Sequence, residues 1–342
     1  MGDLYQALFG APFAQAAWPV LLLVLLVGFA LLAQGAHWLV DGGARLASRM
    51  GMSTLVVGLT VVAWGTSAPE VVVSGMAAAR GSVASALGNV LGSNLANIGL
   101  VLGCCAVVLP KVLEGRINTR ELLWLGLSLA LLWYFCLDHV VTRFEGLILL
   151  LLFAVYTWQV WFSARDTPRG ASEYDSRHPI IGVVVGSLAI TAGAWLALES
   201  GSAGALRLGI DELLVGLTVL ALGTSLPELA AGLKSAFQGH SDISIGNVIG
   251  SNVFNTLAVI GIASLIHPFE KDPSAPAEQG AALDAAFEDA LRYDFPAVLA
   301  FSAALILTPG IAGRLSGMGR FKGFVLLGMY ATYWLLRERM TG

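Results

Sequence analysis

Charge is scarce in this sequence. Asp and Glu number 23 and Lys and Arg 19 among 342 residues, so 12% of positions are charged, about half the ~25% of an ordinary soluble domain. Too little polar surface remains to face water. The net charge is only −4, and no basic stretch suggests a nucleic-acid partner, so none is expected. Cysteine is equally sparse. Cys104, Cys105 and Cys136 lie in apolar segments without a CxxC spacing, so neither a disulfide framework nor a zinc site is expected. The histidines (His37, His139, His178, His240 and His267) are scattered, which argues against an imidazole metal centre. A nucleophile elbow, an HExxH pair and the lysine of a phosphate-binding loop are all missing, so neither an enzyme nor a cofactor is expected.

What the chain has instead is apolar length. Hydrophobic residues make up 56% and the mean hydropathy is +0.76. Hydrophobic segments fall at about 17–40, 53–79, 84–109, 121–137, 143–163, 179–200, 211–237, 243–267, 293–309 and 321–336. Their lengths approach the ~20 residues that cross a bilayer, and they predict an all-α membrane protein of ten transmembrane helices. The first residues lack the basic region of a cleaved signal peptide, so the first run is expected to be retained. Residues 164–178 form a polar connection at the middle of the chain, and residues 268–292 form an acidic loop, expected to be a solvated amphipathic helix. With the N-terminus outside, the inward loops hold 12 of the 19 basic residues. The positive-inside rule then places both termini outside. A short chain without large insertions fits a bacterial or archaeal plasma (inner) membrane, and its oligomeric state is left open, a monomer being sufficient.

The sequence also repeats itself. Displaced by 158 residues, Gly35–Asn97 lies over Gly193–Asn255 without a gap, with 27 of 63 positions identical. GLTVVAWGTSAPE (58–70) matches GLTVLALGTSLPE (216–228), and GNVLGSNLAN (88–97) matches GNVIGSNVFN (246–255). The domain reading is therefore a first half, 1–163 (motif 58–97), the connection 164–178, and a second half, 179–342 (motif 216–255). An odd helix count per half inverts the second copy, and inverted repeats hold their ion sites near the midplane.

Glu70 and Glu228 occupy the same place in the two copies, each inside an apolar helix, where a carboxylate costs about 2.5–3.5 kcal/mol on insertion scales. Thr66 and Ser67 precede Glu70 by about one turn, as Thr224 and Ser225 precede Glu228. Pro69 and Pro227 cannot donate to the carbonyls of Gly65 and Gly223, which frees backbone oxygen at membrane depth. Gly88/Gly92 and Gly246/Gly250 are GxxxG pairs, expected to pack closely. That packing would bring Ser93, Asn97, Ser251 and Asn255 against the glutamates. Every donor in this set is an oxygen. Calcium takes about six to eight such ligands, whereas softer metals favour imidazole or thiolate.

The paired GTSxPE and GNVxGSN motifs resemble the α-repeats of the calcium/cation antiporter superfamily, specifically its sodium/calcium exchanger branch with bacterial and archaeal relatives. The resemblance spans both repeats, and the ten-helix layout agrees over the rest. It implies a secondary transporter that exchanges Ca2+ for Na+ by alternating access. Its ion ligands would be Thr66, Ser67, Glu70, Ser93 and Asn97 from the first repeat. The second would give Thr224, Ser225, Glu228 and Ser251, and the carbonyls of Ala63 and Ala221 would complete the cage. Asn255 departs from the pattern, since several sodium/calcium exchangers carry Asp there. That departure leaves the stoichiometry open, together with a Ca2+/H+ or K+-dependent antiporter of the same fold. A passive cation channel is the alternative of another class. The resemblance also makes the helices carrying Asp41 and Glu199 a sliding gate; these two acids are read as interfacial charges that anchor helix ends, with acids of a vestibule over the site as the alternative.

Overall fold

An apolar run in lipid favours the helix, because each backbone N–H and C=O is then satisfied within its own segment. The computed structural model describes Phe13 and residues 16–109, 119–163, 178–208, 223–271, 277–306 and 320–341. Among these the chain is all-helical apart from an isolated antiparallel bridge between Val141 and Phe269. The helices are α1 (Trp18–Met50), α2 (Thr54–Thr66), α3 (Ala68–Ala79), α4 (Val83–Val108), α5 (Thr119–Phe135), α6 (Arg143–Ser163) and α7 (Pro179–Arg207). They continue with α8 (Leu226–Phe237), α9 (Ser241–Ile266), α10 (Ala277–Asp289), α11 (Phe295–Ile306) and α12 (Arg320–Thr341). Five of them, α1, α4, α6, α7 and α9, are long and apolar enough to cross a membrane. The bent pair α2–α3, turning by 46°, adds a sixth span if read as one. The segment expected at 211–237 is seen only as α8, since 209–222 lie outside the described residues.

The surface is apolar, unlike that of a soluble protein, and a set of polar side chains is enclosed within an otherwise apolar core. Leu22, Leu23, Leu26 and Phe29 on α1, and Phe144, Leu151 and Trp158 on α6, are exposed. The buried set includes Thr66, Glu70, Asn97, Glu228, Ser251 and Asn255. Of the apolar window in each helix, 78% is buried in α4 and 83% in α9, against 22–28% in α1, α6 and α7. The motif-bearing helices α4 and α9 are therefore the centre, and the others shield them from lipid.

α1 and α7 lie against each other along a glycine seam. A Cβ on Gly28 would sit 2.6 Å from the backbone nitrogen of Ala197, and one on Gly35 would sit 2.5 Å from that of Ile190. Gly42 meets Pro179 and Val183. Partner numbers fall as α1 numbers rise, so the two helices run antiparallel at backbone contact. α2 and α9 run parallel: Gly246 meets Leu55 and Leu59, and Gly250 meets Leu59. That is the close packing expected of the second GxxxG pair; among the described residues, nothing approaches Gly88 or Gly92 comparably.

Two expectations need correction. α1 does not end near residue 40; it runs ten residues further to Met50, closed by Gly51 at φ 66°, a left-handed cap that glycine adopts readily. Asp41 therefore lies within the helix instead of at its end. Its carboxylate accepts from Arg45 at 2.7 Å and from Gln238, at the end of α8, at 3.1 Å. α7 likewise runs past residue 200 to Arg207, and Glu199 is buried within it.

The acidic loop does hold a helix, α10, pinned by buried Leu283 and Phe287. Asp284 pairs with Lys271 at 2.6 Å. Beyond α10, a π-helical turn (Ala290–Asp294) leads into α11. There Arg337 of α12 bridges Asp289 (2.8 Å) and Asp294 (3.1 Å), and the Tyr333 hydroxyl donates to Asp294 at 2.7 Å. Replacing Arg337 with Ala leaves Asp294, 9% exposed in its side chain, with an unbalanced charge. The expected loss is about 2 kcal/mol, read as a melting temperature lowered by a few degrees in detergent.

Candidate ion-binding site

The break between α2 and α3 sets the geometry. Ser67 leaves the helical region (φ −88°, ψ 10°), and α3 restarts at Ala68 with Pro69 in its first turn. Proline fits there because the missing N–H would have been unsatisfied in any case. Ser225 (φ −88°, ψ −1°), Leu226 and Pro227 repeat the arrangement before α8. Glu70 and Glu228 thus stand in the first turns of half-helices instead of in mid-helix. The positive end of each helix dipole favours an acid at that position.

Both carboxyl groups are fully buried. Ser67, three residues before Glu70, reaches Glu228 directly, which brings the two acid-bearing turns together. Oε1 of Glu228 accepts from the Ser67 hydroxyl at 2.9 Å and from that of Ser251 at 3.3 Å. Ser67 comes from the other half of the chain, so the halves meet at this oxygen. Ser93 and Thr224 face Glu70 but bond each other, at 3.0 Å. Among the described residues neither Glu70 oxygen has a hydrogen-bond partner, and the same holds for Glu228 Oε2, Ser225 Oγ, Asn97 Oδ1 and Asn255 Oδ1. Buried acceptors without donors are unfavourable by about 1–3 kcal/mol each, more for charged groups. A cation would satisfy them together.

Of the residues expected from sequence, Thr66, Ser67, Glu70, Ser93, Asn97, Thr224, Ser225, Glu228, Ser251 and Asn255 are all buried. Hydrogen bonds join Ser67 and Ser251 to Glu228, and Ser93 to Thr224. Thr66 donates instead to Asn247 Oδ1 at 3.1 Å and to the Ala63 carbonyl at 3.3 Å. That carbonyl also accepts from the Ser67 N–H at 2.9 Å. Asn97 donates to Asn252 at 3.0 Å. π-helical turns begin at Asn97 and at Asn255. Ala221 lies outside the described residues.

Sequence reasoning missed Asn247, and with it Asn94, Asn252 and Thr256. Asn94 donates to Thr256 at 2.9 Å, and Asn252 reaches the Asn94 carbonyl at 3.4 Å, which binds α4 to α9. The signal for Asn247 was available: it precedes Ser251 by one helical turn, as Asn89 precedes Ser93.

Long lipid-exposed helices around buried carboxylates and hydroxyls define a membrane protein of the cation-transporter class. The family described as sodium/calcium exchanger protein matches residues 20–162 and 178–337, and the chain belongs to that family of cation antiporters. A candidate antiporter, CaxA of Alkalimonas amylolytica, is 34% identical over 320 residues, covering 90% of this chain and 96% of that protein. The sodium/calcium exchanger MaX1 of Methanosarcina acetivorans is 27% identical over 355 residues, covering 91% and 96%. A solved structure of the sodium-calcium exchanger NCX_Mj, soaked with Na+ and Sr2+, superposes with a TM-score of 0.72 at 25% identity, covering 92% of this chain and 98% of that one.

Proposed function

We propose that this antiporter exchanges Ca2+ for Na+ by alternating access around one site between Glu70 and Glu228. The observation that carries the reading is the meeting of two duplicated, fully buried carboxylates with hydroxyls from both halves in one all-oxygen core. Ser67, Ser93, Ser251, Thr66, Thr224, Ser225, Asn97 and Asn255 surround the ions, with the carbonyls of Ala63 and Ala221. Two carboxylates neutralise one divalent ion or two monovalent ions, so occupancy by one kind excludes the other, which is the simplest basis for exchange. The chain is two inverted five-helix halves (1–163 and 179–342) joined by 164–178, ten spans in all. The antiparallel contact of α1 with α7, helices from corresponding places in the two copies, supports the inversion. It sits in the plasma membrane with both termini outside.

Purified protein in vesicles, given an outward sodium gradient, is expected to accumulate calcium-45. Replacing that gradient with one of H+ or K+ is expected to abolish uptake. Calcium flux without any counter-gradient dependence would instead mark a channel and contradict exchange.

A further inference from the structure

The two half-sites are duplicates in sequence but not in hydrogen bonding. The 158-residue shift carries Thr66 onto Thr224, Ser67 onto Ser225, Glu70 onto Glu228, Asn89 onto Asn247 and Ser93 onto Ser251. One set is tied by three bonds: Thr66 to Asn247 (3.1 Å), Ser67 to Glu228 (2.9 Å) and Ser251 to Glu228 (3.3 Å). Their images would be Thr224 to Asn89, Ser225 to Glu70 and Ser93 to Glu70. None is formed. Asn89 Oδ1, Ser225 Oγ and both Glu70 oxygens are buried without a partner among the described residues. Ser93 and Thr224 bond each other instead, and the image of that bond, Ser251 to Thr66, is missing because both hydroxyls are engaged elsewhere.

A threonine hydroxyl has one proton and two lone pairs. Donating to the Asn247 amide, Thr66 keeps its lone pairs for a cation. In the Ser93–Thr224 pair one hydroxyl gives a lone pair to the other, and that half closes on itself. Asn89, the image of Asn247, donates to Ser74 at 3.0 Å and keeps its carbonyl oxygen in reserve. The Thr, Ser, Glu and Asn positions are alike in the two halves, so the image arrangement can be built from them, although Ser74, which holds Asn89, has Gly232 as its own image.

We propose that Asn247 and Asn89 are alternating positioning residues: Asn247 holds Thr66 in the conformation described here, and Asn89 takes up Thr224 in the oppositely facing one. The inference rests on the transport reading above and adds to it a pair of neutral amides that act through the threonines. Removing one amide therefore biases the protein against one facing state, and removing the other biases it against the opposite state.

The test is the Michaelis constant for calcium measured separately at the two faces of vesicles with uniform protein orientation. Asn247→Leu, similar in volume but without an acceptor, is expected to shift the ratio of the two constants about fivefold, the worth of one hydrogen bond. Asn89→Leu is expected to shift it about fivefold the other way, and the double variant to return near the original ratio. If a leucine form does not insert, Asn247→Ala and Asn89→Ala are expected to give the same opposite signs. Shifts of one sign in both variants, or no shift, would overturn the inference while the exchange itself stands. Absence of exchange in the unaltered protein would instead remove the transport reading.

Discussion

Glutamine in place of Glu228 lowers calcium exchange at limiting calcium at least a hundredfold, and glutamine in place of Glu70 does the same. Each change keeps the shape and removes one of the two charges in the core. Leaving a buried charge uncompensated costs about 3–5 kcal/mol, and the divalent ion would be in that position against a single carboxylate. Folding should survive. The glutamine carbonyl at 228 can still accept from Ser67 and Ser251, and a neutral side chain is easier to bury. Calcium-45 uptake and a melting curve on the same preparations separate the two effects. Uptake that matches wild type in both variants would contradict the site.

The second large effect lies away from the ions. Gly35→Val is expected to prevent α1 and α7 from reaching their observed contact, because even a Cβ there falls 2.5 Å from the Ile190 nitrogen and close to the Gly186 carbonyl. Overpacking of this kind costs about 1–3 kcal/mol, occasionally more, and backbone on the far side cannot rotate out of the way as a side chain can. Gly35→Ala should show a milder loss of the same kind. Gly328→Ala, with no described atom within 4 Å of its added Cβ, should remain within about 1 kcal/mol of wild type. Thermal melting in detergent measures all three. A Gly35→Val protein that melts like wild type would refute the seam.

Much of the fold was legible because lipid simplifies the rules. The expected segments 84–109, 143–163 and 243–267 became Val83–Val108, Arg143–Ser163 and Ser241–Ile266. α1 was underestimated because Asp41, Arg45 and Arg49 look like the end of a span. What keeps the helix going is the Arg45 pairing one turn on and the Gln238 amide, and a linear sequence does not display a partner 197 residues away. The α1–α7 seam was written as glycines seven apart, at 28, 35 and 42 and again at 186 and 193, but backbone contact is a property of the pair and not of either helix.

The core was legible to a different degree. Duplication pointed to Glu70 and Glu228, and Pro69 and Pro227 pointed to a backbone break. The break also moved each acid from mid-helix to a helix start, which changes its electrostatics. Asn247 escaped because weight fell on the residues after Ser251 instead of the turn before it. The asymmetry between the half-sites was readable only in part: the polar site positions are identical in the two copies, and the difference shows around them, as where Ser74 beside Asn89 has Gly232 as its counterpart.

Everything functional here depends on a metal ion lying between the two buried acids. Crystals soaked in strontium, whose anomalous scattering locates it independently of the protein phases, test this directly. The account predicts a peak within coordination distance of both Glu70 and Glu228, diminished by added sodium. Strontium bound only elsewhere, or a core unchanged by the soak, would contradict it.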